Sequence, residues 1–221
     1  MSSVRKLQAI VFDLDGLMFN TEDLFWHVGT ELLRRRGSEL STELVDQMMG
    51  RRSPFALQIM IDHHQLDDTV EELQSESSAI FDDILDQQIR PMPGLIELID
   101  ALDHAGFPKA IATSSGRDYV LRCLSIFSLE PRFHVILTAE DVSRGKPDPE
   151  IYLTAAKRLQ VEPSELMVLE DSEVGCRAAV AAGTFAVAVP GLHSRHHDFS
   201  SASLVVDNLL NRKIYESLEL C

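Results

Sequence analysis

Asp13 and Asp15 stand directly after a short apolar run, residues 7–12, which is typical of a buried strand that ends in a loop. Side chains two positions apart in an extended segment point the same way, so these two carboxylates can share one site. Carboxylates crowded together repel one another unless a cation neutralises them, and an oxygen-rich site suits magnesium. Taken alone, the segment favours a structural interpretation, a capping Asp followed by an Asp-Gly turn.

A second acidic pair, Glu170 and Asp171, follows another apolar run at residues 166–169. This pair would supply the remaining metal ligand. A structural alternative stays open, because Asp171 could simply cap the helix that we expect to begin near Ser172.

Three further residues could hold an anion. Lys146 precedes a predicted helix and carries the compact point charge that suits a phosphate oxygen. Thr113 and Ser114 follow another apolar run and offer hydroxyls and backbone N–H groups at a helix start. A solvated lysine and an ordinary helix cap without a ligand are the alternatives for these residues considered singly.

The polar residues above lie at the ends of predicted strands that alternate with helices. Asp148 is a predicted N-cap with Pro149 at the first helical position, and Gly183 is a natural helix stop. This alternation predicts an α/β fold, a doubly wound parallel sheet whose ligands bind beyond the carboxyl ends of the strands. The predicted strands are residues 7–12, 109–112, 134–137, 166–169, 184–189 and 204–206.

Residues 20–90 interrupt this alternation with amphipathic, helix-like stretches and no convincing strand. The prolines at 91 and 93 stop a helix before the next one starts at Leu95. We therefore expect an all-helical insert at 20–90, and a core formed by 1–19 and 91–221.

The composition restricts the partners. A formal net charge of −15 makes nucleic acid and anionic membranes poor partners, so a small anionic substrate must be attracted by local positive charge. No run of eighteen apolar residues and no signal-peptide core is present, which leads us to expect a cytoplasmic protein, a monomer or weak dimer. The three cysteines show neither a disulfide nor a zinc-binding pattern.

Four elements occur in order along the chain: an acidic pair, a pair of hydroxyl residues, a lysine and a second acidic pair. With them the sequence resembles the haloacid dehalogenase superfamily, in particular its β-phosphoglucomutase and phosphatase-like branch with a helical cap. The resemblance spans nearly the whole chain and implies a Rossmann-like core with a helical cap. The segments that carry it are residues 13–22 (DLDGLMFNTE), 111–115 (IATSS), 145–152 (GKPDPEIY) and 168–175 (VLEDSEVG).

The resemblance also implies roles. Asp13 would be the nucleophile that takes a phosphoryl group from a small phosphorylated metabolite, and Asp15 the general acid and base. Thr113, Ser114 and Lys146 would hold the transferring group. The presence of an acid at Asp15 favours phosphate over halide chemistry.

The same resemblance implies a Mg²⁺ ion. Its ligands would be Asp13, the main-chain oxygen of Asp15, and Asp171, with Glu170 beside them.

The substrate should be selected by the cap. Arg51 and Arg52 are the only Lys or Arg residues between Gly37 and Ile89, and they should lie in a cap loop that faces the core, unless they are ordinary surface arginines. Residues 48–62 also resemble the cap of the pseudouridine-phosphate phosphatases.

Two rival functions remain open. β-Phosphoglucomutases share the cap and the four motifs, but this chain has Phe25 and Ser53 where they carry a histidine and a sugar-phosphate arginine, unless a shifted alignment brings in His27. A silent binding module would lack a key group, and none is missing. Asn20 replaces the acid common before Thr-Glu in this group.

Histidines at positions 63, 64, 193, 196 and 197 could suggest a second metal site. Their irregular, loop-like settings favour solvated side chains instead.

Overall fold

The computed structural model describes residues 6–48, 51 and 53–220 as alternating strands and helices. The strands are β1 (Ala9–Phe12), β2 (Lys109–Ala112), β3 (Val135–Leu137), β4 (Leu166–Glu170), β5 (Phe185–Ala188) and β6 (Leu204–Val205). The helices are α1 (Thr21–Arg35), α2 (Thr42–Met48), α3 (Ser53–His64), α4 (Val70–Gln88), α5 (Leu95–His104), α6 (Arg117–Ile126), α7 (Glu150–Leu159), α8 (Glu173–Ala181) and α9 (Arg212–Ser217). Short 3-10 turns cover Glu130–Arg132, Ala139–Asp141 and Pro163–Glu165.

The six strands form one parallel sheet in the order β3-β2-β1-β4-β5-β6. β1 lies in the middle, and all four of its residues are buried, as expected for a parallel strand covered on both faces. The strand order reverses direction beside β1, which is where doubly wound folds bind ligands. The doubly wound parallel fold and all six strands predicted from the apolar runs are confirmed.

Alternate residues of β1 enter different layers of the core. Ala9 and Val11 pack with small residues of α7 and α8, whereas Ile10 and Phe12 join a larger cluster that includes residues of α5 and α6. This period of two follows from the alternation of side chains along a strand. Within the described residues, no helix combines the length and the apolar character that a membrane span requires.

Helices α1 to α4 lie between β1 and α5, and the described part of residues 20–90 contains no strand. The two segments that lead into and out of this helical stretch run side by side, since Asn20 N–H donates to Arg90 O at 3.1 Å and Met92 N–H to Met18 O at 2.8 Å. The side chain of Asn20 adds a third link by accepting from Arg90 N–H at 2.6 Å. The entry and exit segments are thereby fastened to each other.

One predicted helix boundary is wrong by a residue. Helix α7 begins at Glu150 rather than at Pro149, which directly precedes it. Asp148 nevertheless accepts a hydrogen bond from Glu150 N–H at 3.0 Å, so its side chain does satisfy a backbone donor at the helix start. Gly183, in the left-handed region (φ +77°), follows the end of α8 as predicted.

Gly94 provides a test of how tightly the exit segment is packed. It is left-handed (φ +89°), and a Cβ there would lie 2.6 Å from the backbone nitrogen of Leu210, whereas Gly106 (φ +62°) has no atom within 4 Å of its Cβ position. We expect Gly106→Ala to lower the free energy of unfolding by about 1–2 kcal/mol through backbone strain. Gly94→Ala should cost about 1–3 kcal/mol more, because backbone cannot move aside easily. Urea unfolding measures both, and equal losses would contradict this packing.

Candidate active site

Three buried carboxylates meet at the carboxyl edge of the sheet. Asp13 follows β1, Glu170 ends β4 and Asp171 comes next, and β1 and β4 are neighbours in the sheet. One oxygen from each of the three lies within 4.8 Å of the others. The two acidic pairs recognised in the sequence therefore contribute to a single site.

Lys146 lies between two of these acids. Its Nζ donates to Asp13 Oδ1 at 2.5 Å, to Glu170 Oε1 at 2.6 Å and to Ala112 O at 3.2 Å. The side chain is only 3% exposed, so the solvated lysine considered for the sequence is excluded. Burial alone would lower the pKa of Lys146, but the charges of Asp13 and Glu170 outweigh it and hold this pKa well above its usual value.

Glu170 is held by a set of neighbours that leaves it little freedom. Tyr152 Oη donates to its Oε1, and Ser172 Oγ donates to its Oε2 at 3.0 Å. Gly175 lies so close that a Cβ would fall 1.9 Å from Glu170 Oε1. Ser172 also accepts from Gly175 N–H at 3.1 Å and so caps α8 itself. The interpretation of Asp171 as the helix cap is therefore wrong.

Asp15 is surrounded by hydroxyl groups. Its Oδ1 accepts from Thr21 Oγ1 at 2.8 Å and from Tyr119 Oη at 2.7 Å, and its Oδ2 accepts from Ser115 Oγ at 2.5 Å. Thr113 Oγ1 lies 3.5 Å from the same Oδ2. Both carboxylate oxygens are satisfied by donors, which hold the side chain of Asp15 in this conformation.

Tyr119 was not identified from the sequence. It lies on α6, and its ring packs against Phe25 of α1 and Phe81 of α4, with centroids 6.1 Å and 5.4 Å away. Tyr119 thus connects Asp15 to two helices of the inserted stretch. An aromatic residue four positions after a motif carries no sequence signal for this contact, because Tyr119 and Asp15 are 104 positions apart.

The remaining predicted residues line the cleft above the carboxylates. Its volume is about 400 Å³, the open mouth included, and Thr113, Ser114 and Arg51 are among its lining residues. Arg51 is exposed between α2 and α3, and its Nε donates to Gln47 O at 2.7 Å. Arg52 lies outside the described residues. The structure therefore brings the candidate anion-binding residues of the core and one of the two arginines to the same cleft.

Glu22, the last residue of the first motif, adds a further acid to the lining of the cleft, and the sequence indicated no role for it. Partial burial, together with the charges of Asp15 and Asp23, raises its pKa to about 8. Burial and the neighbouring carboxylates also raise the pKa of Asp13 and Asp171 well above the usual value. These shifts share two causes, the loss of solvation on burial and the negative charge of neighbouring carboxylates. Oxygen donors with excess negative charge fit a hard divalent cation.

Known proteins are similar to this chain in sequence. Residues 10–189 match the family of haloacid dehalogenase-like hydrolases. A bifunctional riboflavin kinase/FMN phosphatase from Arabidopsis thaliana is 33% identical over 96% of this chain, which spans 56% of that relative's length. A "Probable pseudouridine-5'-phosphatase" from Drosophila melanogaster is 33% identical, with 95% of this chain and 93% of the relative covered.

Solved structures of other proteins are similar to this chain in fold. A mutant of CbbY from Rhodobacter sphaeroides, crystallised with xylulose-(1,5)bisphosphate, superimposes with a TM-score of 0.81 at 27% identity, over 92% of this chain and 95% of that one. The sequence match, the parallel sheet and the acidic site at its carboxyl edge lead to one conclusion: this chain belongs to the haloacid dehalogenase-like hydrolase family.

Proposed function

We propose that this protein is a Mg²⁺-dependent phosphatase that hydrolyses a small phosphomonoester through an aspartyl-phosphate intermediate. The observation that carries the proposal is the contact of the buried Lys146 with Asp13, at the carboxyl end of the central strand. A carboxylate oriented by a buried cation at the base of an open cleft is arranged for attack on an electrophile that enters the cleft. The family membership supports this interpretation.

The metal would be held by Asp13, Asp171 and the main-chain oxygen of Asp15, with Glu170 beside them. All of these donors are oxygens, and the carboxylates outnumber the cations around them, which suits Mg²⁺. When bound, Mg²⁺ neutralises charge on the carboxylates and on the phosphoryl oxygens.

The first half of the proposed reaction transfers the phosphoryl group to the protein. A carboxylate oxygen of Asp13 forms a bond to phosphorus while the bond from phosphorus to the ester oxygen breaks. Asp15 delivers a proton to that departing oxygen. Lys146, Thr113 and Ser114 balance the negative charge on the transferring group.

The second half returns the protein to its starting state. Asp15, now ionised, takes a proton from a water molecule, whose oxygen attacks phosphorus and releases the Asp13 carboxylate and inorganic phosphate. The hydroxyls of Thr21, Ser115 and Tyr119 hold the Asp15 carboxylate in place for this step. The same carboxyl must turn away from some of these donors to present a proton in the first half.

We assign residues 1–19 and 91–221 to a core domain and residues 20–90 to a cap that hinges on the paired segments near Asn20 and Pro91. Closure would exclude water during the attack, and opening would release products.

Arg51, and Arg52 beside it in sequence, would bind the distal part of the substrate. The names of the relatives favour a phosphorylated small metabolite, such as a sugar phosphate or a nucleotide-like monophosphate. We also propose a cytoplasmic location, as expected from the sequence.

β-Phosphoglucomutase activity is the second candidate, since it needs the same core residues. Two contacts favour the phosphatase. Phe25 stacks on Phe81, with ring centroids 5.0 Å apart, and Ser53 Oγ donates to Gln74 Oε1 at 2.5 Å on the helix opposite. Both side chains are engaged within the inserted helices rather than lining the cleft.

Asp13→Asn tests the nucleophile. We expect wild-type protein with Mg²⁺ to release inorganic phosphate from a member of a panel of sugar phosphates, nucleoside monophosphates, phosphoglycolate, FMN and pseudouridine 5'-phosphate. The amide should reduce release to the uncatalysed level, because it cannot form the acyl phosphate. The exposed Asp67→Asn is the matched control and should retain full activity. Interconversion of β-glucose 1-phosphate and glucose 6-phosphate without phosphate release would favour the mutase.

Removal of divalent cations tests the metal. Chelation with EDTA should abolish phosphate release, and added Mg²⁺ should restore it, because the carboxylates around Asp13 otherwise repel a phosphate dianion. Initial rates across a Mg²⁺ titration provide the measurement. Full activity after exhaustive chelation would contradict a metal-dependent mechanism.

Tyr119→Phe tests the positioning of Asp15. Loss of one hydrogen bond to a charged carboxylate costs about 1.5–3 kcal/mol, so kcat should fall about 10- to 100-fold if the bond acts on the reaction. KM should change little, since Tyr119 does not line the cleft. Tyr215→Phe on α9 removes the same hydroxyl away from the site and should leave kcat unchanged. A Tyr119→Phe variant with wild-type kcat would exclude this positioning role.

A further inference from the structure

A second cluster of metal-binding side chains lies outside the acidic cleft. His196 and His197, in the loop after β5, meet Asp46 of α2 across about 150 positions of sequence. His196 Nε2 lies 2.8 Å from Asp46 Oδ2, and His197 Nε2 lies 3.2 Å from Asp46 Oδ1. One such atom from each of the three residues lies within 4.8 Å of the others. The expectation of solvated histidines agrees with the exposed His196 but is wrong for His197, which is largely buried.

The three side chains differ in exposure in a way that suits an accessible ion site. His197 is 11% exposed, Asp46 31% and His196 46%. One imidazole is thus fixed in the protein, and the other borders solvent. An ion could enter from the side of His196 without any rearrangement of the core.

The donor set differs from that of the catalytic cleft. Two imidazole nitrogens and one carboxylate oxygen form a three-ligand set that Zn²⁺ takes in proteins, with the fourth position open to water. Mg²⁺ prefers oxygen donors, so the two sites should select different ions. We propose that Asp46, His196 and His197 form a binding site for Zn²⁺ or a similar borderline transition-metal ion.

The present distances require only small shifts. Ligands at about 2.1 Å from a tetrahedral zinc ion lie about 3.4 Å apart. The two observed N–O distances, 2.8 Å and 3.2 Å, are shorter than this by a few tenths of an ångström.

Such an ion would fasten α2 to the loop after β5. The same loop already contacts α1, because His193 Nε2 lies 2.8 Å from Asp23 Oδ1 and the His193 ring stacks on Trp26 with centroids 5.3 Å apart. Zinc would add a second and stronger attachment between the inserted helices and the sheet-bearing part of the chain.

Zinc binding in the presence of excess Mg²⁺ tests the proposal without any assay of activity. After equilibrium dialysis of the full chain against Zn²⁺ and Mg²⁺, elemental analysis should find one more zinc ion per chain in wild type than in His196→Gln/His197→Gln. His63→Gln/His64→Gln is the matched control and should retain the zinc ion, since it removes an adjacent pair whose ring centroids are 4.8 Å apart, against 4.7 Å for His196 and His197. Asp13→Asn should retain it too.

A second variant guards against misfolding of the first. Asp46→Asn keeps the shape of the side chain, and it should lose the zinc ion while it retains the wild-type melting temperature in metal-free buffer. Equal zinc content in wild type, His196→Gln/His197→Gln and Asp46→Asn would overturn the proposal. Loss of zinc in Asp13→Asn but not in these variants would also overturn it, because it would place the ion in the catalytic cleft. Neither result depends on whether the protein is a phosphatase.

Discussion

The crowding of buried carboxylates at the end of the central strand is the constraint on which the site depends. Asp13, Glu170 and Asp171 are each less than a tenth exposed, and burial together with the neighbouring carboxylates raises the pKa of Asp13 and Asp171 well above the usual value. Lys146 supplies one compensating charge from the buried side, in contact with two of the three acids. The charge that remains is a reason for the site to bind a cation, and the same cation would make it attractive to a phosphate.

The residues around Lys146 and Glu170 support this arrangement of charges. Tyr152 lies under Lys146, with Nζ 5.2 Å from the ring centroid, and directs its hydroxyl to Glu170. Ser172 caps α8 and bonds Glu170 with the same side chain, and Gly175 leaves room for the carboxylate. A buried ion pair contributes little to stability unless its remaining hydrogen-bonding groups are satisfied. The neighbours of Glu170 meet that condition.

Asp15 is held by a different kind of hydrogen-bond partner. Its partners are neutral hydroxyls, and one of them, Tyr119, also packs against two helices of the inserted stretch. Movement of those helices would disturb the packing of Tyr119 and, through it, the position of the carboxylate. His193, in the loop after β5, contacts α1 as well, and the proposed zinc ion would attach α2 to the same loop. The position of the Asp15 carboxylate is in this way coupled, through Tyr119, to the position of the inserted helices.

The sequence by itself determined the parallel sheet, the helical character of residues 20–90 and the convergence of the two acidic pairs. Those features follow from local patterns, since apolar runs predict strands and parallel strands bring their carboxyl ends to one edge. The place of Lys146 beside the acids was implied only by the resemblance to the family. Only the tertiary structure decided that Tyr119 contacts Asp15, that Glu22 shares the cleft and that Asp46 meets His196 and His197. These contacts join side chains from different helices and loops, whose relative positions depend on packing and leave no periodic signal in the chain.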